Sequence, residues 1–156
     1  MELVISDKYE PLFQRPNGVD TYIVTGGRFS SKSYTVAIAT VEWAAYLNHR
    51  ALYGRYTNVS SKDSTFPEVE EKIGLLNLSK YFNVTTNRIE GIHNESKIIF
   101  KGFKTGSGNQ SASLKSLKDF SALIVEEAEE IEDFDTYEKV SLSIRGNDKT
   151  NPEPNI

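Results

Sequence analysis

Among its 156 residues the sequence has no cysteine, two histidines, one methionine and one tryptophan. Without cysteine there can be no disulfide framework and no thiolate-held zinc or iron–sulfur site. His49 and His93 stand 44 positions apart, which argues against an imidazole metal centre. No basic segment followed by an apolar one opens the chain, so no secretory signal is read. No uncharged apolar run approaches the ~18 residues that a membrane span needs. An excess of positive charge is missing too: 18 Lys and Arg face 22 Asp and Glu, a net charge of −4. That balance argues against a nucleic-acid footprint spread over the whole chain. The expectation is a soluble intracellular domain.

What is present is ordinary in amount, with 38% hydrophobic and 26% charged residues. A chain of this size buries roughly two thirds of its unfolded surface, enough for a core. Neither a repeat nor a Pro/Gly/Ser linker divides it. The charges are segregated: residues 97–118 hold five Lys and no acid, and residues 119–138 hold nine acids and no base. Solvated faces explain such runs most simply. The lysines Lys97, Lys101, Lys104, Lys115 and Lys118, interleaved with Phe100 and Phe103, are also compatible with tracking a phosphate backbone.

Residues 1–20 read as irregular, interrupted by Pro11, Pro16 and Gly18. Tyr22-Ile23-Val24 reads as a buried strand running into a Thr25-Gly26-Gly27 turn. From Ser31 a helical pattern carries Val36, Ile38, Ala39, Val41, Trp43, Ala44 and Leu47. A strand is expected over residues 51–56, and a helix over Ser64–Leu76 with Ser64 as N-cap and Pro67 in the first turn. Val84–Ile92 and Lys97–Phe103 read as a two-stranded hairpin with Asn94 in its turn, followed by a polar loop over residues 106–113. Ala122-Leu123-Ile124-Val125 reads as a second buried strand and 133–145 as an acidic helix. Strands alternating with helices predict an α/β fold with a mainly parallel sheet flanked by helices.

Between the first expected strand and the long helix lies Gly26-Gly27-Arg28-Phe29-Ser30-Ser31-Lys32-Ser33. This is the P-loop pattern G-x-x-x-x-G-K-[ST] with one departure, Ser31 in place of the second glycine. Backbone N–H groups at a helix N-terminus cradle phosphate, helped by the helix dipole. Lys32 would reach the β- and γ-phosphates of ATP, and the Ser33 hydroxyl would hold Mg²⁺. Ser31 costs energy only if its position needs left-handed geometry. An incidental Gly-Gly turn with a solvent-facing lysine is the alternative.

The second expected strand ends in Glu126-Glu127, the Walker B arrangement. There the first acid serves Mg²⁺ and the second polarises the attacking water. An acidic helix start is the competing explanation. The two motifs occur in the right order, 94 residues apart, each at the end of an expected strand.

With those residues in view the chain resembles the large terminase subunit of tailed bacteriophages. The loop at 26–33 is similar to that family's Gly-Gly-Arg-x-Ser-Gly-Lys-Ser, and 123–130 to its Glu-Glu-Ala segment. Arg55 with Ser61 to Ser64, Ile98 to Gly102, Leu114 to Leu117, and Ser143-Ile144-Arg145 also match, so the resemblance spans residues 20–146. It implies a P-loop NTPase of the additional-strand type, with residues 1–156 as the N-terminal ATPase domain. It also implies ATP and Mg²⁺ as cofactors, and hydrolysis that drives double-stranded viral DNA into a procapsid. The implied partners are the portal protein, the small terminase subunit and further copies in a ring. The implied place is the cytoplasm of the infected bacterial host, at the procapsid portal, with no membrane involved. By position, Lys32 binds phosphates, Ser33 and Glu126 serve Mg²⁺, Glu127 activates water and Arg28 senses the γ-phosphate or acts as an arginine finger in cis. Gln14, just before Pro16, matches the upstream adenine contact, or is a plain surface glutamine. The family's further core strand, with its coupling motif, and its nuclease domain fall outside these residues, so the domain is expected to be incomplete at its C-terminal side. Another P-loop NTPase such as a helicase-type motor, or a catalytically silent nucleotide-binding fragment, are the competing readings.

Overall fold

The computed structural model describes residues 3–16, 19, 21–56, 64–102, 119–131 and 134–144. The expected loop at 106–113, the matches at 61–63 and 114–117, Phe103, Lys104, Lys115, Lys118, Asp133 and Arg145 lie outside them. Among the described residues five strands form one sheet in the order β2-β3-β4-β1-β5: β1 Arg50–Arg55, β2 Phe82–Thr85, β3 Arg88–Gly91, β4 Lys97–Gly102 and β5 Ala122–Val125. The helices are α1 Glu10–Gln14, α2 Lys32–Leu47, α3 Phe66–Leu75 and α4 Phe134–Ser143. β1 runs parallel to β4 on one side and to β5 on the other. This parallel core is as expected, and the antiparallel β2 and β3 extend it at one edge.

The core strands read as unbroken apolar runs because both of their faces are covered. Ala51 and Tyr53 of β1, Ile98 and Phe100 of β4, and Ala122 and Ile124 of β5 join α2 and α3 in one core. The alternate residues Leu52, Ile99, Leu123 and Val125 face the other way, with Phe120 and Val140 of α4. Tyr53 stacks on Phe100, and Phe66 of α3 meets Phe100 edge-on. Between α2 and α3 sits the buried Lys72, whose ammonium pairs with Glu68 at 3.0 Å and lies 4.5 Å from the centroid of the Tyr34 ring. Burial alone would pull its pKa down, but the hydrogen bonds and charges of Glu68 and Glu71 leave it raised.

Several expectations change. Residues 7–14 form a short 3₁₀ turn and α1, because Pro11 occupies the first helical turn, where proline is tolerated. Trp43 Nε1 donates to the Leu12 carbonyl at 3.1 Å, which fastens this segment to α2. His49, just past α2, bridges Arg15 Nη1 at 2.9 Å and Ser121 Oγ at 2.8 Å, joining it to the start of β5. Tyr22-Ile23-Val24 joins no strand ladder among the described residues. Tyr22 and Val24 lean on the core while Ile23 is 85% exposed, an alternation typical of a strand. The expected hairpin is three strands, since Thr86-Asn87 turns the chain between β2 and β3. Asn94 does lie in the following turn, where its amide donates to the Ala44 carbonyl at 3.0 Å. The helix expected from Ser64 begins at Phe66 with Thr65 as its N-cap residue, and Pro67 is in its first turn as expected.

Candidate nucleotide-binding and hydrolytic site

The loop before α2 has three residues at positive φ: Gly26, Phe29 and Ser31. Gly26 has φ +155°, and a Cβ added there would lie 2.8 Å from Ser30 Oγ, so the Ser30 side chain fills the space that a side chain at position 26 would need. Phe29 and Ser31 adopt φ of 64° and 62°. Lys32 folds back over the loop: its Nζ donates to the carbonyls of Gly26 and of Gly27, the latter at 3.1 Å, and approaches Ser30 Oγ at 3.4 Å. The ammonium therefore holds carbonyls that phosphate oxygens would replace. Ser33, in the first turn of α2, is exposed, as are Arg28 and Phe29. From below, Tyr9 Oη donates to the Ser30 carbonyl at 2.6 Å. Gln14 ends α1, and its amide donates to Glu10 one turn earlier.

Ser31 is the N-cap of α2, in left-handed geometry and without a side-chain capping bond. The departure from glycine thus falls on a position that needs φ > 0, where a Cβ costs about 1–2 kcal/mol. Ser31→Gly relieves that strain but gives the unfolded chain more entropy, about 0.4–1 kcal/mol. The net expectation is a stabilisation of about 0.5 kcal/mol, read as a higher urea midpoint at unchanged slope. A lower midpoint would show that the serine is not strained.

At the C-terminal ends of β1 and β5, the parallel pairing brings two acids to the strand tips. Val125 pairs with Gly54, and the Glu126 N–H continues the ladder to the Gly54 carbonyl at 2.9 Å. Glu126 and Glu127 follow β5 directly, so they leave the strand rather than begin a helix, and a 3₁₀ turn starts only at Ala128. Thr65 Oγ1, 1% exposed as a residue, donates to Glu126 Oε2 at 2.9 Å. Glu127 has φ 51° and ψ 51°, an unfavourable conformation for glutamate that clusters at functional sites. Its carboxylate pairs with the Arg55 guanidinium. Tyr53 lies beneath, its phenol held well above the usual range by burial first and then by the charges of Glu126 and Glu68.

The candidate residues include donors of the kinds that a magnesium–nucleotide takes. Mg²⁺ prefers one or two protein oxygens together with substrate phosphates, and Ser33 and Glu126 offer a hydroxyl and a carboxylate of that kind. Of the lysines weighed for a phosphate track, Lys97 lies 4.7 Å from the Phe120 ring centroid, and Lys101 is half-buried with its pKa lowered by that burial. Among the described residues, no helix is long and apolar enough to cross a membrane.

Spacing alone picked out Lys32, Ser33, Glu126 and Glu127 as candidates. It did not flag Tyr9 or Thr65 and gave Arg55 no role, because their partners lie 21, 61 and about 70 residues away. The β1–β5 register brings Arg55 to the acids, and the start of α3 brings Thr65.

A parallel-cored sheet, a glycine loop opening a helix and an acidic strand tip define an α/β protein with the P-loop fold. The chain belongs to the phage terminase large subunit family, whose model matches residues 19–154. It is 33% identical over 117 residues to the PBSX phage terminase large subunit of Bacillus subtilis (strain 168), which covers 74% of this chain and 26% of that protein. It resembles the crystal structure of the large terminase from a thermophilic bacteriophage with a TM-score of 0.68. That match has 12% identity and covers 93% of this chain and 37% of the other. The chain therefore spans about a quarter of the length of its curated relative.

Proposed function

We propose that residues 1–156 act as the N-terminal ATPase domain of a DNA-packaging motor, hydrolysing ATP to drive double-stranded viral DNA into a procapsid. The observation that carries this reading is the Lys32 ammonium folded over a glycine loop at the start of α2, in a chain of the terminase large subunit family. The loop residues Gly26 to Ser33 bind the phosphates through their backbone, and Lys32 adds a positive charge at the β- and γ-positions. Ser33 and Glu126 would hold Mg²⁺, which would offset charge on the phosphates. Glu127 orients a water in line with the γ-phosphate and takes its proton. Arg28, exposed on the loop, is the candidate γ-phosphate sensor or arginine finger in cis, and Gln14 is the candidate adenine contact. The partners in this reading are the portal protein, the small terminase subunit and neighbouring copies in a ring, at the procapsid in the host cytoplasm.

Removing the lysine tests the reading. Lys32→Ala is expected to weaken ATP binding by about 10²-fold, in the range for losing one charge-assisted phosphate contact. Equilibrium binding of a fluorescent ATP analogue measures it, with the melting temperature as a control for folding. Unchanged affinity in a folded variant sinks the proposal.

A further inference from the structure

Both carboxylates at the tip of β5 are held from a single direction, by the two described ends of the β1–α3 connection. At one end Arg55, the last residue of β1, pairs through Nη2 with Glu127. Its Nη1 donates to Ser64 Oγ at 2.9 Å, and its buried Nε lies 3.7 Å from Glu130, beyond a hydrogen bond. At the other end Thr65 donates to Glu126. We propose that Arg55 and Thr65 are positioning residues, Arg55 for the water-activating carboxylate of Glu127 and Thr65 for the metal-serving carboxylate of Glu126. The proposal rests on the roles given to Glu126 and Glu127 above.

The physical argument starts from the backbone. A glutamate in left-handed geometry stays there only when its surroundings over-determine it. The Glu127 side chain is 42% exposed, so packing does not fix it, whereas the Arg55 side chain is 16% exposed and anchored on Ser64. A planar fork fixed at two points holds a carboxylate in one orientation, which a flexible ammonium does not do. Thr65 acts more simply: its hydroxyl occupies one oxygen of Glu126 and leaves the other for the metal. Nothing in the local sequence of β5 supplies either restraint.

The experiment compares the intact protein with Arg55→Ala, Arg55→Lys and Thr65→Val, using Lys32→Ala and Glu127→Gln as references. Arg55→Ala is expected to lower kcat by about 10²-fold with the KM for ATP nearly unchanged, the mark of a misplaced catalytic group. Arg55→Lys should recover part of that loss. Thr65→Val should raise the Mg²⁺ concentration for half-maximal rate by about tenfold, as losing a metal ligand's outer partner does. A readout independent of turnover accompanies these: the guanidinium N–H resonances of Arg55 should be resolved in the nucleotide-free protein and lost in Glu127→Gln. If kcat for Arg55→Ala stays near wild type or rises while both reference variants fail as expected, the positioning proposal alone is overturned. Arg55 resonances indifferent to Glu127→Gln overturn it as well. Retained ATP binding in Lys32→Ala overturns the nucleotide-site reading and this proposal together.

Discussion

Glu127→Gln is expected to leave ATP bound and to slow its hydrolysis by about 10³-fold, the middle of the range for a general base. The amide keeps the size and the backbone cost of the original residue, because glutamine is no better suited than glutamate to a φ of 51°. What it loses is the capacity to accept a proton, together with the negative charge that Arg55 faces. The phosphate cradle, built on α2 at residues remote in sequence from β5, is untouched. Single-turnover hydrolysis with radiolabelled ATP measures the rate, and equilibrium binding measures the affinity. A rate within twofold of wild type would remove Glu127 from the reaction. A parallel loss of binding would instead make it part of the cradle.

Trp43→Ala should cost about 3–5 kcal/mol, the usual range for emptying a buried aromatic site. Trp43 is 3% exposed on α2, meets His49 edge-on and donates its indole N–H to Leu12. Truncation therefore opens a void and also releases the N-terminal segment. That segment carries Tyr9, which holds the Ser30 carbonyl of the glycine loop, so the damage reaches the nucleotide site. Trp43→Phe separates the two effects: it keeps most of the volume and loses the hydrogen bond, worth about 1 kcal/mol. Urea unfolding followed by far-ultraviolet circular dichroism gives both values. A loss below about 1 kcal/mol for the alanine variant would mean that the site collapses onto the gap.

The parts legible in the sequence share a physical basis. β1, β4 and β5 are buried on both faces, so each reads as an apolar run without needing its partners identified. Residues 32–47 carry enough apolar positions to read as a helix, and Ser31 stands at its first boundary. Tyr22-Ile23-Val24 read as a strand because the residues have the composition of one, yet strand formation is a property of a pair. The Thr86-Asn87 turn lay inside a run whose flanking residues suited one long strand, and register with β4 decided otherwise. At the candidate site, spacing singles out Lys32 and Glu126, and the left-handed geometry of Ser31 is the condition under which the sequence assigned its serine a cost. Arg55 and Thr65 drew no role, since their chemistry exists only across the β1–β5 junction.

The central place of β1 has a consequence for how the chain comes to be folded. Its two neighbours, β4 and β5, lie far downstream, with Ala51 paired to Ile98 on one side and to Ala122 on the other. Loop closure over such separations slows folding, because the entropy is lost before the contacts form. At ~5–20 residues per second of synthesis, the ~70 residues between Ala51 and Ala122 take roughly 4–14 s to appear. For that interval β1, buried at its four inner positions, has made no more than half of its ladder. During synthesis it is therefore the segment most in need of a chaperone, and a pulse of protease on ribosome-bound chains should cut near it until β5 has emerged.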